Sequence, residues 1–241
     1  MFLQRVLQAA IAALCIFAGS SHAGVLYTFS GVADGGTASA TMWVDIVGNT
    51  LTAKINNTSP NPNPNPTKLG DPALTGFGFQ FSNAGSLSMN SWCLSVGATN
   101  IGGTCAGSTN DWLFETGAID GVDVDFGAET DKGVKGGLYV PGGDNLGGPP
   151  RYFGEAIFTL VFNQAPSLEE LFGPCNGKDE DAGCSPFMRF QNVGQQGEGS
   201  LKLPAQVCTG PACDENDVPE PGLLALLGLA MLGLGISRRS R

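Results

Sequence analysis

The sequence predicts an all-β protein: an antiparallel β-sandwich of jelly-roll-like type with one short helix. Three observations carry this reading. Short runs of β-branched and aromatic residues alternate with polar residues at period two along the middle of the chain. Turn residues recur between those runs, and the 241 residues include 36 glycines and 15 prolines. Between the two ends, no stretch repeats apolar residues at the spacing of a long amphipathic helix. Many short strands punctuated by Gly and Pro make a sandwich.

The chain opens on an address. Met1 to Ala23 has a basic start at Arg5, an apolar stretch from Ala9 to Gly19, and a small-x-small site at Ser21-His22-Ala23. That order is a secretory signal peptide, read by the Sec translocon and cut by signal peptidase between Ala23 and Gly24. Cys15 is not a lipidation site, because Leu14 precedes it where lipoprotein processing takes Ala, Gly or Ser. The chain therefore divides into a signal peptide (1–23), an extracytoplasmic sandwich domain (24–217) and a C-terminal tail (218–241).

The strands follow in order. Val25–Ser30 mixes β-branched and aromatic residues, and Thr37–Val47 sets Ala38, Ala40, Met42, Val44 and Ile46 on one face. A turn at Asn49-Thr50 returns the chain through Leu51–Asn57, with Leu51, Ala53 and Ile55 inward, which reads as a hairpin. Ser59–Pro66 (SPNPNPNP) is a stiff exposed connector of polyproline character. Ala73–Phe81 places Phe77, Phe79 and Phe81 on one face. Such a stripe can be a sugar-stacking platform, but period-two aromatics usually wall a core, and the core reading is preferred. Ser86–Val96 alternates likewise and ends near Trp92 and Cys93. Ile119–Phe126 is a strand with Val122, Val124 and Phe126 on one side and Asp123 and Asp125 on the other. Tyr152–Phe162 is the most apolar strand and so a central one, while Phe187–Val193 and Ser200–Leu203 close the sheet. The helix is Pro166–Phe172, with Ser167 and Glu170 as a capping box. The Gly-Pro loop Pro141–Pro150 has no phosphate-binding pattern.

With Cys15 removed, six cysteines remain: Cys93, Cys105, Cys175, Cys184, Cys208 and Cys213. Six allow 15 pairings. Their layout favours three local staples, Cys93–Cys105, Cys175–Cys184 and Cys208–Cys213, in an exported protein. A metal cluster is the alternative, but it lacks tight Cys-x-x-Cys spacing. Trp92 and Trp112 flank the first staple and are the candidate glycan contacts as an exposed pair, against the plainer reading that they are buried beneath the staple. Asp123, Asp125, Glu129 and Asp131 are the candidate calcium ligands, since calcium takes six to eight oxygens. Their spacing is not that of an EF-hand, and a polar strand face explains them without metal. Asp179-Glu180-Asp181 reads as a solvated loop. No other cofactor is expected.

Charge and histidine exclude more. Of 12 basic residues, Arg5, Arg238, Arg239 and Arg241 lie in the two ends, while of 22 acidic residues only Glu220 does, so the middle carries about −13. Nucleic acid is thereby excluded as a partner, because its binding needs clustered cations. His22 is the only histidine and leaves with the signal peptide, which removes Ser-His-Asp, Cys-His and His-zinc chemistry.

The tail is the most informative stretch. Val218, Pro219, Glu220 and Pro221 form a stiff extended tetrad, Leu223–Ile236 is apolar on every face, and Arg238, Arg239 and Arg241 end the chain. The apolar run is shorter than the roughly 20 residues that span a bilayer as a helix, so it suits a transient anchor with its arginines cytoplasmic. This order of Pro-Glu-Pro, apolar helix and Arg238-Arg239 resembles the PEP-CTERM sorting signal of Gram-negative bacteria. The resemblance implies an exosortase as partner, cleavage near the triplet, and delivery to the cell surface or an exopolysaccharide matrix. It implies no catalytic residue in this chain. The expected function is thus that of an exported, non-enzymatic surface or matrix protein that binds glycan. The alternative is an extracellular hydrolase using a carboxylate pair, as glycosidases do.

Overall fold

The structure is a computed structural model and describes residues 24–60, 71–82, 84–141, 151–168, 185–194 and 199–207. Gly24–Cys208 forms one compact unit. Its described strands are β1 (Val25–Ala33), β2 (Gly36–Val47), β3 (Thr50–Asn57), β4 (Ala73–Phe79), β5 (Met89–Val96), β6 (Thr99–Gly103), β7 (Trp112–Ile119), β8 (Val122–Thr130), β9 (Leu138–Tyr139), β10 (Tyr152–Phe153), β11 (Ala156–Phe162), β12 (Phe187–Val193), β13 (Gly199–Pro204) and β14 (Gln206–Val207). Two short 3₁₀ turns, Ala84–Ser86 and Gly133–Gly136, lie between described strands.

These strands follow one hydrogen-bonded path, β10-β9-β4-β8-β7-β6-β5-β11-β3-β2-β1-β14, with β12 and β13 branching from β4. The path folds over on itself. Phe77 and Phe79 of β4 meet Phe158 of β11, ring centroids 5.0 and 6.2 Å apart, although the two strands share no hydrogen bonds. One layer therefore holds β5, β11, β3, β2 and β1, and the other holds β7, β8, β4, β12 and β13. A single parallel bridge, Gly102 to Trp112, carries the path from one layer to the other. Consecutive strands such as β3 and β4, β4 and β5, or β11 and β12 lie in opposite layers, and this crossing makes the sandwich jelly-roll-like.

The alternation read from the sequence is the alternation found. On β2, Ala38, Ala40, Met42, Val44 and Ile46 are buried, and on β3 Leu51, Ala53 and Ile55 lie beside them on the same buried face. Their hairpin turns at Gly48-Asn49, one residue earlier than expected, because Gly48 takes a left-handed φ of 60° that a side chain resists. The stripe of Phe77, Phe79 and Phe81 is buried and belongs to the core. β11 is central, pairing with both β3 and β5. The expected strand Tyr152–Phe162 is in fact two, β10 and β11, broken where Gly154 adopts φ 107°.

Two expectations need correction. Ile119–Phe126 is not one strand: Asp120 and Gly121, at φ 50° and 82°, turn β7 back into β8. An Asp-Gly pair between apolar residues is a strong hairpin signal, and it was hidden here by the valines that follow. Nor do Val122, Val124 and Phe126 share one core. Phe126 joins the main core, while Val122 and Val124 form a second cluster with Ile119 and Phe187. The β7 ladder shifts register between Glu115 and Gly117, and beyond it the hairpin tip folds over the outside of β4. There Ile119 and Val124 occupy the space that side chains on Gly76, Gly78 and Gly127 would fill.

Ser59 departs from the exposed connector predicted for Ser59–Pro66. It is buried, with its hydroxyl bonded to the Ser39 amide and carbonyl, so the connector starts from a pinned residue. Residues 61–70 lie outside the described residues, as does most of the expected helix, which begins at Leu168.

Candidate functional site

The residues singled out as candidate sites divide by whether the fold brings them together. Cys93 and Cys105 do meet, as a disulfide with Cα atoms 5.4 Å apart. It staples β5 to the loop after β6. Cys175, Cys184, Cys208 and Cys213 fall outside the described residues, as do Asp179-Glu180-Asp181, the junction of Ala23 with Gly24, and the whole tail.

Trp92 and Trp112 are not an exposed pair. Trp112 is fully buried and Trp92 retains 9% exposure. Trp112 donates its Nε1–H to the Gly136 carbonyl at 2.9 Å and lies 5.9 Å from the Phe77 ring. The Trp92 ring faces Phe114 and Phe158. The two tryptophans do lie near one another, because Gly102 sits between them: a Cβ there would come within 2.9 Å of both. They are core residues under the staple, since large apolar rings gain most from full burial. The third tryptophan, Trp43, has the more open ring. It stands half-buried on the outer face of β2, with the Lys54 ammonium 5.3 Å from its centroid.

The four candidate calcium ligands do not converge either. They are strung along β8 and the turn after it, which at ~3.3 Å per residue separates Asp123 from Asp131 by roughly 26 Å. Three of the four have other partners. Asp125 accepts the Phe81 amide at 2.7 Å, Asp131 pairs with Lys132 at 3.2 Å, and Glu129 lies 3.7 Å from Arg189. Among the described residues, no group of three or more His, Cys, Asp or Glu side chains could hold a metal ion.

What the fold does assemble is an ionic cluster on the outer face of the β4 layer. Glu129 of β8 and Arg189 of β12 both pair with Gly76 of β4, which leaves them side by side over a residue without a side chain. Arg189 Nε approaches Asp120 Oδ2 at 3.1 Å, an ion pair without hydrogen-bond alignment, since that nitrogen is buried with no aligned acceptor. Lys202 of β13 reaches the same oxygen at 3.7 Å. Burial raises the Glu129 carboxyl above its ordinary range; the charges of Glu115 and Asp120 add to this and Arg189 opposes it. Of this cluster the sequence singled out only Glu129, as a calcium candidate, because the other members come from β7, the β7–β8 turn, β12 and β13. The Asp120-Gly121 turn signal could have pointed toward the rest.

A second polar group ties the β6–β7 loop to β10. Asp111 is buried and accepts from Thr109 at 2.6 Å and from the Tyr152 phenol. The phenol is raised above its usual range by burial first and then by that bond to Asp111. This group reads as a loop clamp, with all three members engaged among themselves.

Residues 217–239 match a family model described as the PEP-CTERM protein-sorting motif. The chain ends in a PEP-CTERM sorting motif. The matched span contains Val218, Pro219, Glu220, Pro221, Arg238 and Arg239. The motif is that of exported proteins processed by an exosortase, with a membrane-anchored sorting signal and a cell-surface destination. No curated protein and no solved structure matches the chain. Among the described residues no helix is long and apolar enough to cross a membrane, and the apolar run Leu223–Ile236 lies outside them.

Proposed function

We propose that this protein is a non-enzymatic surface or exopolysaccharide-matrix protein of a Gram-negative bacterium, exported through Sec and released from its anchor by exosortase. The single observation that carries this reading is the sorting motif at residues 217–239, joined to a compact β-sandwich with about −13 of charge. Signal peptidase cuts between Ala23 and Gly24, and exosortase cuts near Pro219-Glu220-Pro221. The remaining cysteines close two further local disulfides. Glycan contact falls to the outer face of β2 and β3. There Trp43 offers an aromatic ring beside Lys54, the role first assigned to Trp92 and Trp112.

The test is the intact mass of protein recovered from its native cell surface, with and without reduction, and with the exosortase deleted. A species lacking both ends, gaining the mass of six hydrogens on reduction and retained in the membrane without exosortase, is the expected result. A surface species that begins at Gly24 and keeps Arg241 sinks tail cleavage. Retention on isolated exopolysaccharide that is unchanged in Trp43→Ala sinks the glycan face.

Glu129 supports a second reading, the carboxylate-dependent hydrolase, because it is a half-buried acid with a raised pKa beside Glu115. That reading expects polysaccharide cleavage by the purified protein, lost in Glu129→Gln and in Glu115→Gln. A wild-type protein that cleaves nothing removes it.

A further inference from the structure

Gly24, the residue that signal-peptide cleavage is expected to expose, lies immediately before β1, and what faces it is unusual. Val25 pairs with Val44, so Gly24 stands opposite Asp45, with roughly 5 Å between their Cα atoms. Asp45 lies on the outer face of β2, half-buried, and its Oδ1 is fully buried without a hydrogen-bond partner. A carboxylate oxygen removed from water and left unpaired is costly, so such an atom calls for a partner. Lys54 is the neighbouring cation on β3, opposite Trp43, but its ammonium sits over the Trp43 ring and makes no ion pair with Asp45. Among the described residues, Asp45 and Lys54 are the only charged side chains on β1, β2 and β3.

The Trp43 ring, in turn, closes over Gly24. A Cβ at residue 24 would lie 2.3 Å from two of its ring carbons and 2.6 Å from its Nε1, so any side chain there would have to displace the ring. Within an uncleaved chain the Gly24 nitrogen is a neutral amide. Cleavage turns it into an ammonium at the same place, between an indole ring and an unpaired carboxylate. Both neighbours attract a cation.

We propose that removal of the signal peptide completes a charge pair: the α-ammonium of Gly24 is the partner of Asp45, held under the Trp43 ring. Processing therefore supplies the last contact of β1, and the exported protein is more tightly closed at this edge than its precursor. The inference rests on the proposed cleavage between Ala23 and Gly24.

The test uses the natively exported protein, wild type and Asp45→Asn, with the thermal midpoint of each confirming that both fold. Intact mass gives the first residue. The α-amine is then acylated at pH 7, and the labelled N-terminal peptide is followed in time. An opposite charge in contact raises an amine pKa by about one unit or more, so the wild-type amine is expected to react about tenfold more slowly than that of Asp45→Asn. In urea the two should react alike. Equal rates in the folded proteins, with Gly24 first in both, overturn the pairing and leave the cleavage reading intact. A first residue other than Gly24 overturns both. A rate that rises in Lys54→Met as much as in Asp45→Asn overturns it too, because removing a nearby cation should only strengthen a true Gly24–Asp45 pair.

Discussion

β4 and β11 are the two strands that meet at the centre of the sandwich, and they are built differently. β11 alternates cleanly: Ala156, Phe158, Leu160 and Phe162 are buried, while Ile157, Thr159 and Val161 stand half-exposed outside. β4 is buried at every residue. Its inner face carries Phe77 and Phe79, but its outer face carries Gly76 and Gly78, and the tip of the β7–β8 hairpin lies on that glycine floor. A strand with side chains on both faces ends a layer. A strand with glycines on one face lets a third layer of side chains, Ile119, Val122, Val124 and Phe187, come down against its backbone. That small second core also brings Asp120, Glu129 and Arg189 together beside it.

This contrast can be broken from the inside first. Phe77→Ala removes the ring that touches Phe79, Trp112 and Phe158 at once, and about 3–5 kcal/mol of stability should go with it in urea unfolding. A loss no larger than that of a surface change would mean that the two layers do not meet there. On the outer side, Gly78→Val should cost about 1–3 kcal/mol, although valine suits strands better than glycine. Its Cβ would come within 2.4 Å of Val124 and 2.7 Å of Phe187. The matched change on β11, Thr159→Val, should stay within ~0.5 kcal/mol. Equal effects would remove the distinction between the strands. The smallest effect is electrostatic. Since Glu129 holds its proton more tightly when folded, the folded state loses some stability as pH rises above its ordinary 4.5. Glu129→Gln should flatten that part of a stability-against-pH profile, and an unchanged profile would assign the slope to other carboxylates.

How far the sequence could be read depended on how local the signal was. The faces of β2 and β3 were legible because a period of two needs only neighbours along the chain. β6 was not seen, because Thr99–Gly103 is half glycine-rich loop by composition and becomes a strand only by pairing with β5. Trp92 and Trp112 were placed correctly as neighbours and wrongly as exposed. Proximity followed from a twelve-residue disulfide loop, whereas exposure depended on β4 and β11, which supply Phe77 and Phe158.

By itself the sequence determined the all-β class, the alternation of the main strands, the first disulfide and the sorting tail. Each is written in adjacent residues, through backbone periodicity, short loop closure or a linear motif. Tertiary structure alone decided which tryptophan keeps an open ring, that the four acids of β8 and the turn after it never converge, and that Glu129, Arg189 and Asp120 do. Those outcomes depend on which strands become neighbours after the sheet folds over, and that is settled by burial summed across the whole core.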